Sequence, residues 1–148
     1  MLWKLPPKVK VLEALGCIAD SRIKVINENT ARVKSSNLDK EYTVRLYLNK
    51  KKVYSDDNAS KFKHYIGYPI IAFLLFKSII KQDKETKKLI PLLKGIKWHD
   101  LNDKFKRDYD KTMNYVIELC EKKGFSRQEV MNVIERIMKE LKELKLEY

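Results

Sequence analysis

Glycine, proline and cysteine are all scarce in this chain of 148 residues. It contains 4 Gly and 4 Pro, and 44% of its residues are hydrophobic, so its composition is neither low-complexity nor disordered. A chain of this length buries enough surface to fold without disulfides or metals. The composition therefore predicts a globular protein of one domain, or at most two very small ones.

The two cysteines, Cys17 and Cys120, are far apart, and each lies within an apolar helical pattern. Neither belongs to a Cys-x-x-Cys pair or has a histidine at ligand spacing, so the sequence predicts no zinc site. Free cysteine is among the most frequently buried residue types. We therefore expect two reduced core thiols, a cytoplasmic location, and no metal or cofactor.

Long hydrophobic runs are also missing. The most apolar stretch, residues 65–80, contains Lys77 and Pro69 and is shorter than the roughly 20 apolar residues that a bilayer span needs. The first residues form no apolar run of the kind found in signal peptides. We therefore expect no membrane partner. The scarcity of glutamine beside abundant lysine, glutamate and isoleucine resembles the composition of thermophile proteins.

Acidic residues are outnumbered. The chain has 20 Asp and Glu against 32 Lys and Arg, which gives a formal net charge of +12 at pH 7. Such an excess indicates a polyanionic partner, of which nucleic acid is the most common. The sequence contains no Gly-x-Ser-x-Gly, no P-loop and no Gly-x-Gly-x-x-Gly motif. Charge is therefore the strongest functional indication, and it favours binding over catalysis.

Apolar spacing predicts the fold class. Residues 8–20 have helical spacing after two prolines, and residues 22–55 then change to a period of two. Polar turns divide that second stretch into four strands of an antiparallel meander: residues 22–25, 30–34, 41–48 and 52–54.

A helical half is expected to follow the meander. The pattern predicts a buried helix over residues 69–80, a solvated charged connection over residues 81–88, and one long helix from Asp100 to Gly124. Ser126 and Glu129 form a capping box that starts the last helix. The predicted fold is α+β: an N-terminal helix, a four-stranded antiparallel meander and a mostly helical C-terminal half packed on the sheet. We expect a single domain over residues 1–148, with a weak boundary near residue 83.

Strand alternation gathers basic residues onto one face of the meander. Because successive strand residues point to opposite faces, one face is apolar and the other collects cations and tyrosines with a single acid, Glu41. Cations neutralise phosphates, and exposed rings stack on bases. An ordinary solvated face would explain the cations but not the scarcity of acids. The face is predicted to run from Arg22 to Tyr54, and its candidate residues for non-catalytic binding of DNA or RNA, with two lysines of the following loop, are Lys24, Arg32, Lys34, Arg45, Tyr47, Lys52, Tyr54, Lys61 and Lys63. Phe62 and Tyr65 are expected to anchor that loop onto the core.

Two alternative functions remain open. The last helix carries a narrow apolar seam with coiled-coil spacing, which predicts an assembly module that forms a homodimer through Ile137, Leu141, Leu144 and Tyr148. The other alternative is an enzyme centred on Asp56, Asp57 and His64, since neighbouring carboxylates can hold Mg²⁺. The two aspartates are equally typical of a turn, where such side chains bond to nearby backbone.

Overall fold

A helix, a four-stranded sheet and a helical half follow one another along the chain. The computed structural model describes residues 1–148 and confirms the predicted α+β class. The elements are α1 (Val9–Ala19), β1 (Ile23–Asn27), β2 (Thr30–Lys34), β3 (Glu41–Tyr47), β4 (Lys52–Ser55), α2 (Tyr68–Phe76), α3 (Lys84–Leu89), α4 (Trp98–Lys104), α5 (Tyr109–Lys122) and α6 (Arg127–Leu144).

The sheet has the strand order β1-β2-β3-β4, with every neighbouring pair antiparallel. Its alternation buries one face under α2, which in turn packs on α1. The residues of β2, β3 and β4 on that buried face are Ala31, Val33, Val44, Leu46 and Val53. The period-two pattern of the sequence therefore predicted the buried face of β2, β3 and β4.

Three residues at the margins of the sheet differ from the predicted burial. Val25 lies opposite the buried Ala31, as alternation predicts, but is 39% exposed because β1 is an edge strand. Leu48 leaves the strand for a one-turn 3₁₀ helix and is exposed. Arg22 was placed on the solvent face but is only 6% exposed, since it precedes β1 and turns inward.

The two chain termini extend the sheet beyond β4. The backbone N–H of Val53 donates to Glu147 at 3.1 Å, and that of Glu147 donates to Lys51 at 2.7 Å. The N-terminal segment then pairs with the C-terminal one, where the N–H of Trp3 donates to the carbonyl oxygen of Leu146 at 3.0 Å. The edge of β4 is therefore covered, and β1 forms the free edge of the sheet.

The core is one cluster of 32 buried hydrophobic residues from α1, the sheet and the helical half. Residues 70–75 of α2 are all fully buried, as their uniformly apolar sequence predicted. Cys17 and Cys120 lie in this cluster as free thiols, and burial raises the pKa of Cys17 to about 12. Both thiols are therefore protonated and take part in packing.

The connection after α2 differs from the prediction. The helix ends at Phe76, earlier than expected, and Ser78 adopts a φ of 59°. The charged stretch that follows contains α3, capped by Asp83, which accepts the N–H of Thr86 at 2.9 Å. Arg136 of α6 lies 3.0 Å from the Asp83 carboxylate and donates to the Thr86 hydroxyl at 2.7 Å. These polar contacts hold α3 against α6, so the stretch is not merely solvated.

The long helix predicted from Asp100 is divided into α4 and α5. The helix is interrupted where Lys106 and Arg107 adopt φ values of 53° and 64°. Asp108 then caps α5, its carboxylate accepting the N–H of Lys111 at 3.3 Å. The prediction was wrong because apolar spacing continues across the break. The end of α5 at a positive-φ Gly124 and the capping box at the start of α6 are confirmed.

No helix of the protein combines the length and the apolar character needed to cross a bilayer.

Candidate nucleic-acid interface

The outer face of the sheet is exposed and basic. Seven of the nine predicted binding residues lie on it, and the helices pack on the opposite side. Tyr47 and Tyr54 are 42% and 51% exposed, so their rings are accessible. We call the following residues the basic face: Lys24, Arg32, Lys34, Arg45, Tyr47, Lys52 and Tyr54.

Strand register makes these side chains neighbours. Lys24 lies opposite Arg32, Arg45 opposite Tyr54, and Tyr47 opposite Lys52. Directly opposed residues of an antiparallel pair have Cβ atoms about 4.5–5.5 Å apart. The guanidinium carbon of Arg45 lies 6.0 Å from the centroid of the Tyr54 ring. Cations and rings are therefore paired between β3 and β4, whereas Arg32 and Arg45 lie opposite threonines on the β2–β3 ladder.

Acidic residues scarcely neutralise the basic face. Glu41 lies opposite Lys34, and its carboxylate is 3.7 Å from Arg32. Glu147, at the covered edge beside Lys52, is paired with the N-terminal amine at 3.4 Å. Lys52 donates to the main-chain oxygen of Tyr148 at 3.4 Å. Lys24, Lys34 and Arg45 have no carboxylate within 4.0 Å and are free to bind phosphates.

Lys61 and Lys63 lie on a single π-helical turn, Ala59–Lys63, that follows β4. Both are exposed, and the Nζ of Lys61 lies 5.5 Å from the Phe62 ring centroid. Phe62 is 70% exposed, so the prediction that it anchors this loop was wrong, whereas Tyr65 is half-buried.

Ser60, which is 1% exposed, anchors the turn in place of Phe62. Its hydroxyl donates to the Asp57 carboxylate at 2.8 Å. A buried hydrogen bond therefore fixes this loop, and its aromatic ring remains in solvent.

The three residues of the enzyme alternative have separate structural partners. Asp56 accepts the backbone N–H of Thr43 at 2.8 Å. Asp57 accepts the hydroxyl of Ser55 as well as that of Ser60. His64 stacks on Tyr148, with ring centroids 4.3 Å apart and planes at 1°. The hydrogen bonds give Asp57 a local turn role, through the N–H of Ser60 at 3.2 Å, and give Asp56 a cross-strand role. No group of three or more His, Cys, Asp or Glu side chains is placed to hold a metal.

The apolar seam of α6 packs inside the chain. Ile137 and Leu141 are 0% and 1% exposed, and Leu144 is half-buried. Tyr148 packs on Trp3, with ring centroids 5.2 Å apart, as well as on His64. Ile137 and Leu141 are therefore covered by the core of their own chain, whereas Tyr148 is 39% exposed, so the four predicted self-association residues do not form one free seam.

A polar cleft of about 580 Å³, which the sequence did not predict, lies between α1, the β2–β3 connection, the π-helical turn and α4. Buried in it, Lys10 and Glu13 form an ion pair at 2.9 Å, and Arg22 donates to the carbonyl oxygen of Lys34 at 2.7 Å. The signal that could have revealed the cleft is the charged pair in α1, since these are the only ionisable side chains in the buried stretch of residues 9–17 apart from Cys17.

Burial shifts the pKa values of the ionisable groups in the cleft. It raises the pKa of Tyr42, with a further contribution from Asp57, and it raises the pKa of Tyr65 to about 12. The pKa of Tyr68 is also raised, chiefly by burial. Burial by itself lowers the pKa of Lys10, but the neighbouring Glu13 and the nearby tyrosines outweigh it, and the pKa is raised. Near neutral pH the cleft therefore presents uncharged phenols and a charged lysine.

Residues 3–147 match the family model described as "Uncharacterised conserved protein UCP014422". The chain belongs to this family. The match includes the meander and the residues that line the cleft. No curated protein and no solved structure is significantly similar to the chain.

Proposed function

We propose that the protein binds single-stranded nucleic acid, without catalysis, on the basic face of its sheet. The observation that carries this proposal is that five cations and two exposed tyrosines share one face of the sheet, with one acidic residue among them. Lys24, Arg32 and Arg45 neutralise phosphates and release their counterions. Tyr47 and Tyr54 offer ring faces to unpaired bases.

Accessible rings favour a single strand over a duplex. Each base stacked on an aromatic ring contributes about 1–3 kcal/mol, and every base has a face that can stack. In a duplex the faces of the bases are covered by neighbouring base pairs, so Tyr47 and Tyr54 have no base to stack on. The face therefore binds with little sequence preference.

A cytoplasmic location is part of the same proposal. Cys17 and Cys120 are both free and buried, which is the usual state of cysteine in a reducing compartment. Nucleic acid is available as a partner there.

Titration of labelled single-stranded RNA, single-stranded DNA and their duplexes tests the proposal, with fluorescence anisotropy as the readout. Single strands should bind more tightly than duplexes. If the cations of the basic face together neutralise about four phosphates, raising the salt from about 50 to about 200 mM should weaken single-strand binding by about 50-fold. Absence of binding at the lower salt would overturn the proposal. Equal affinity at both salts would remove its electrostatic basis.

A further inference from the structure

The cleft beside the sheet has the size and walls of a small-molecule site. Its volume of about 580 Å³ falls within the roughly 300–1,000 Å³ typical of ligand pockets. Flat rings form much of its wall, contributed by Tyr42, Tyr65, Tyr68, Trp98 and Tyr109. Tyrosine phenols are uncharged near neutral pH, and burial raises the pKa of Tyr42, Tyr65 and Tyr68 further, so the rings can pack against a planar ligand without repelling an anion.

Basic side chains outnumber acidic ones in the lining of the cleft. Lys40 and Lys63 line it, are exposed, and have no carboxylate within 4.0 Å. The lining contains five Lys and Arg side chains against three acids, Glu13, Asp39 and Asp57, and Glu13 is paired with Lys10. The cleft therefore favours an anionic group, and phosphate is one that lysine binds readily.

One buried amide in the cleft lacks a partner. Asn102 is 2% exposed, and its Nδ2 donates to Glu13 at 3.4 Å. Its Oδ1 accepts no hydrogen bond within the protein. A buried acceptor without a donor is costly. Because Oδ1 is closed to solvent, a ligand reaches it only when the Asn102 side chain turns toward the cleft. The exocyclic amino groups of nucleobases are donors that would then satisfy it.

We propose that the cleft binds a nucleotide, with its base among the ring walls, a base N–H donated to Asn102 Oδ1, and its phosphate held by Lys40 and Lys63. The nucleotide comes either from the free mononucleotide pool or from the end of a strand lying on the basic face. The first source goes beyond the proposed function, and the second rests on it.

Trp98 provides the readout, because it lines the cleft and the chain has only one other tryptophan, Trp3. The Trp3→Phe variant isolates the emission of Trp98, and the indole N–H that it removes has no hydrogen-bond partner. This variant is titrated with each nucleoside monophosphate, with adenosine, which lacks the phosphate, and with ribose 5-phosphate, which lacks the base. Calorimetry on the same ligands checks the affinities.

A saturable change in Trp98 emission is expected with at least one nucleoside monophosphate, and adenosine and ribose 5-phosphate should bind at least tenfold more weakly. The paired Lys40→Ala and Lys63→Ala changes should weaken the monophosphate at least tenfold and leave adenosine unaffected. The matched control, Lys94→Ala with Lys111→Ala, removes two exposed cations outside the cleft and should change nothing. Equal binding of adenosine and the monophosphate would overturn the phosphate site.

Oligonucleotides with and without a terminal phosphate distinguish the two sources. If free monophosphates leave Trp98 unchanged while only the phosphorylated oligonucleotide changes its emission, the ligand is a strand end. If no nucleotide and no oligonucleotide changes the emission or releases heat at concentrations up to about 1 mM, the cleft proposal is overturned. Anisotropy with labelled strands still reports on the basic face in that case, so failure here is distinct from failure of the proposed function.

Discussion

Charge reversal of Arg32, Arg45 and Lys52 to glutamate should abolish single-strand binding at about 200 mM salt. Each change removes one phosphate contact, which by itself lowers the salt slope by about one, and adds a repulsive charge at the same place. The three side chains lie on three different strands, so the basic face retains no unbroken row of cations. Anisotropy with a labelled single strand measures the loss.

The fold should survive this variant because the three side chains are exposed. Surface substitutions of this kind usually change stability by less than about 0.5 kcal/mol, and the urea midpoint checks that here. The only ion pair removed, between Arg32 and Glu41, is exposed and spans 3.7 Å, so it contributes little.

The matched control places the same three charge reversals on helices. Lys87, Lys111 and Lys139 are exposed on α3, α5 and α6, away from the sheet. Changing them to glutamate gives the same net charge but leaves the basic face intact, so binding should be retained apart from a modest long-range effect. An equal loss of affinity in both variants would show that overall charge, and not the face, is responsible.

Ile137→Ala should destabilise the protein by about 2–5 kcal/mol, the range for removing a large aliphatic side chain from a core. Ile137 is fully buried in the main hydrophobic cluster and belongs to the seam that sequence spacing assigned to self-association. The loss should appear as a lower urea midpoint that is the same at all protein concentrations. An obligate dimer seam would instead make stability depend on concentration.

Lys139→Ala on the exposed side of the same helix is the matched control for Ile137. Lys139 is exposed, and its ion pair with Glu143, at 4.0 Å and in solvent, contributes little to stability. The free energy of unfolding should therefore change by less than about 0.5 kcal/mol. An unchanged urea midpoint for Ile137→Ala, together with a fall in solution mass, would contradict the packing of α6 and restore the dimer interpretation.

Local rules predicted most of the fold because they act on neighbouring residues. Alternation placed Val33 inside and Arg32 outside, and the sheet obeys it wherever strands are paired on both sides. The capping box at Ser126 and the end of α5 at Gly124 were likewise predicted, since each depends on residues within one turn.

The failures come from interactions between distant parts of the chain. Nothing near Glu147 in sequence indicates that it pairs with Lys51, because the partners are joined only by the completed fold. The break between α4 and α5 depends on the left-handed conformation of Lys106 and Arg107, to which apolar spacing is insensitive. The cleft could not be predicted because Asn102 and Lys63, which are distant in sequence, line the same cavity only after folding.

Backbone amide shifts recorded by NMR during titration with an unlabelled single strand test the central claim most directly, since they map contact residue by residue. The basic face predicts that the largest changes fall on β1–β4, at Lys24, Arg32, Arg45 and Tyr54, and that α5 and α6 remain nearly unchanged. Shifts concentrated on α5 and α6, with the four strands unaffected at saturation, would contradict the assignment of the sheet as the binding surface.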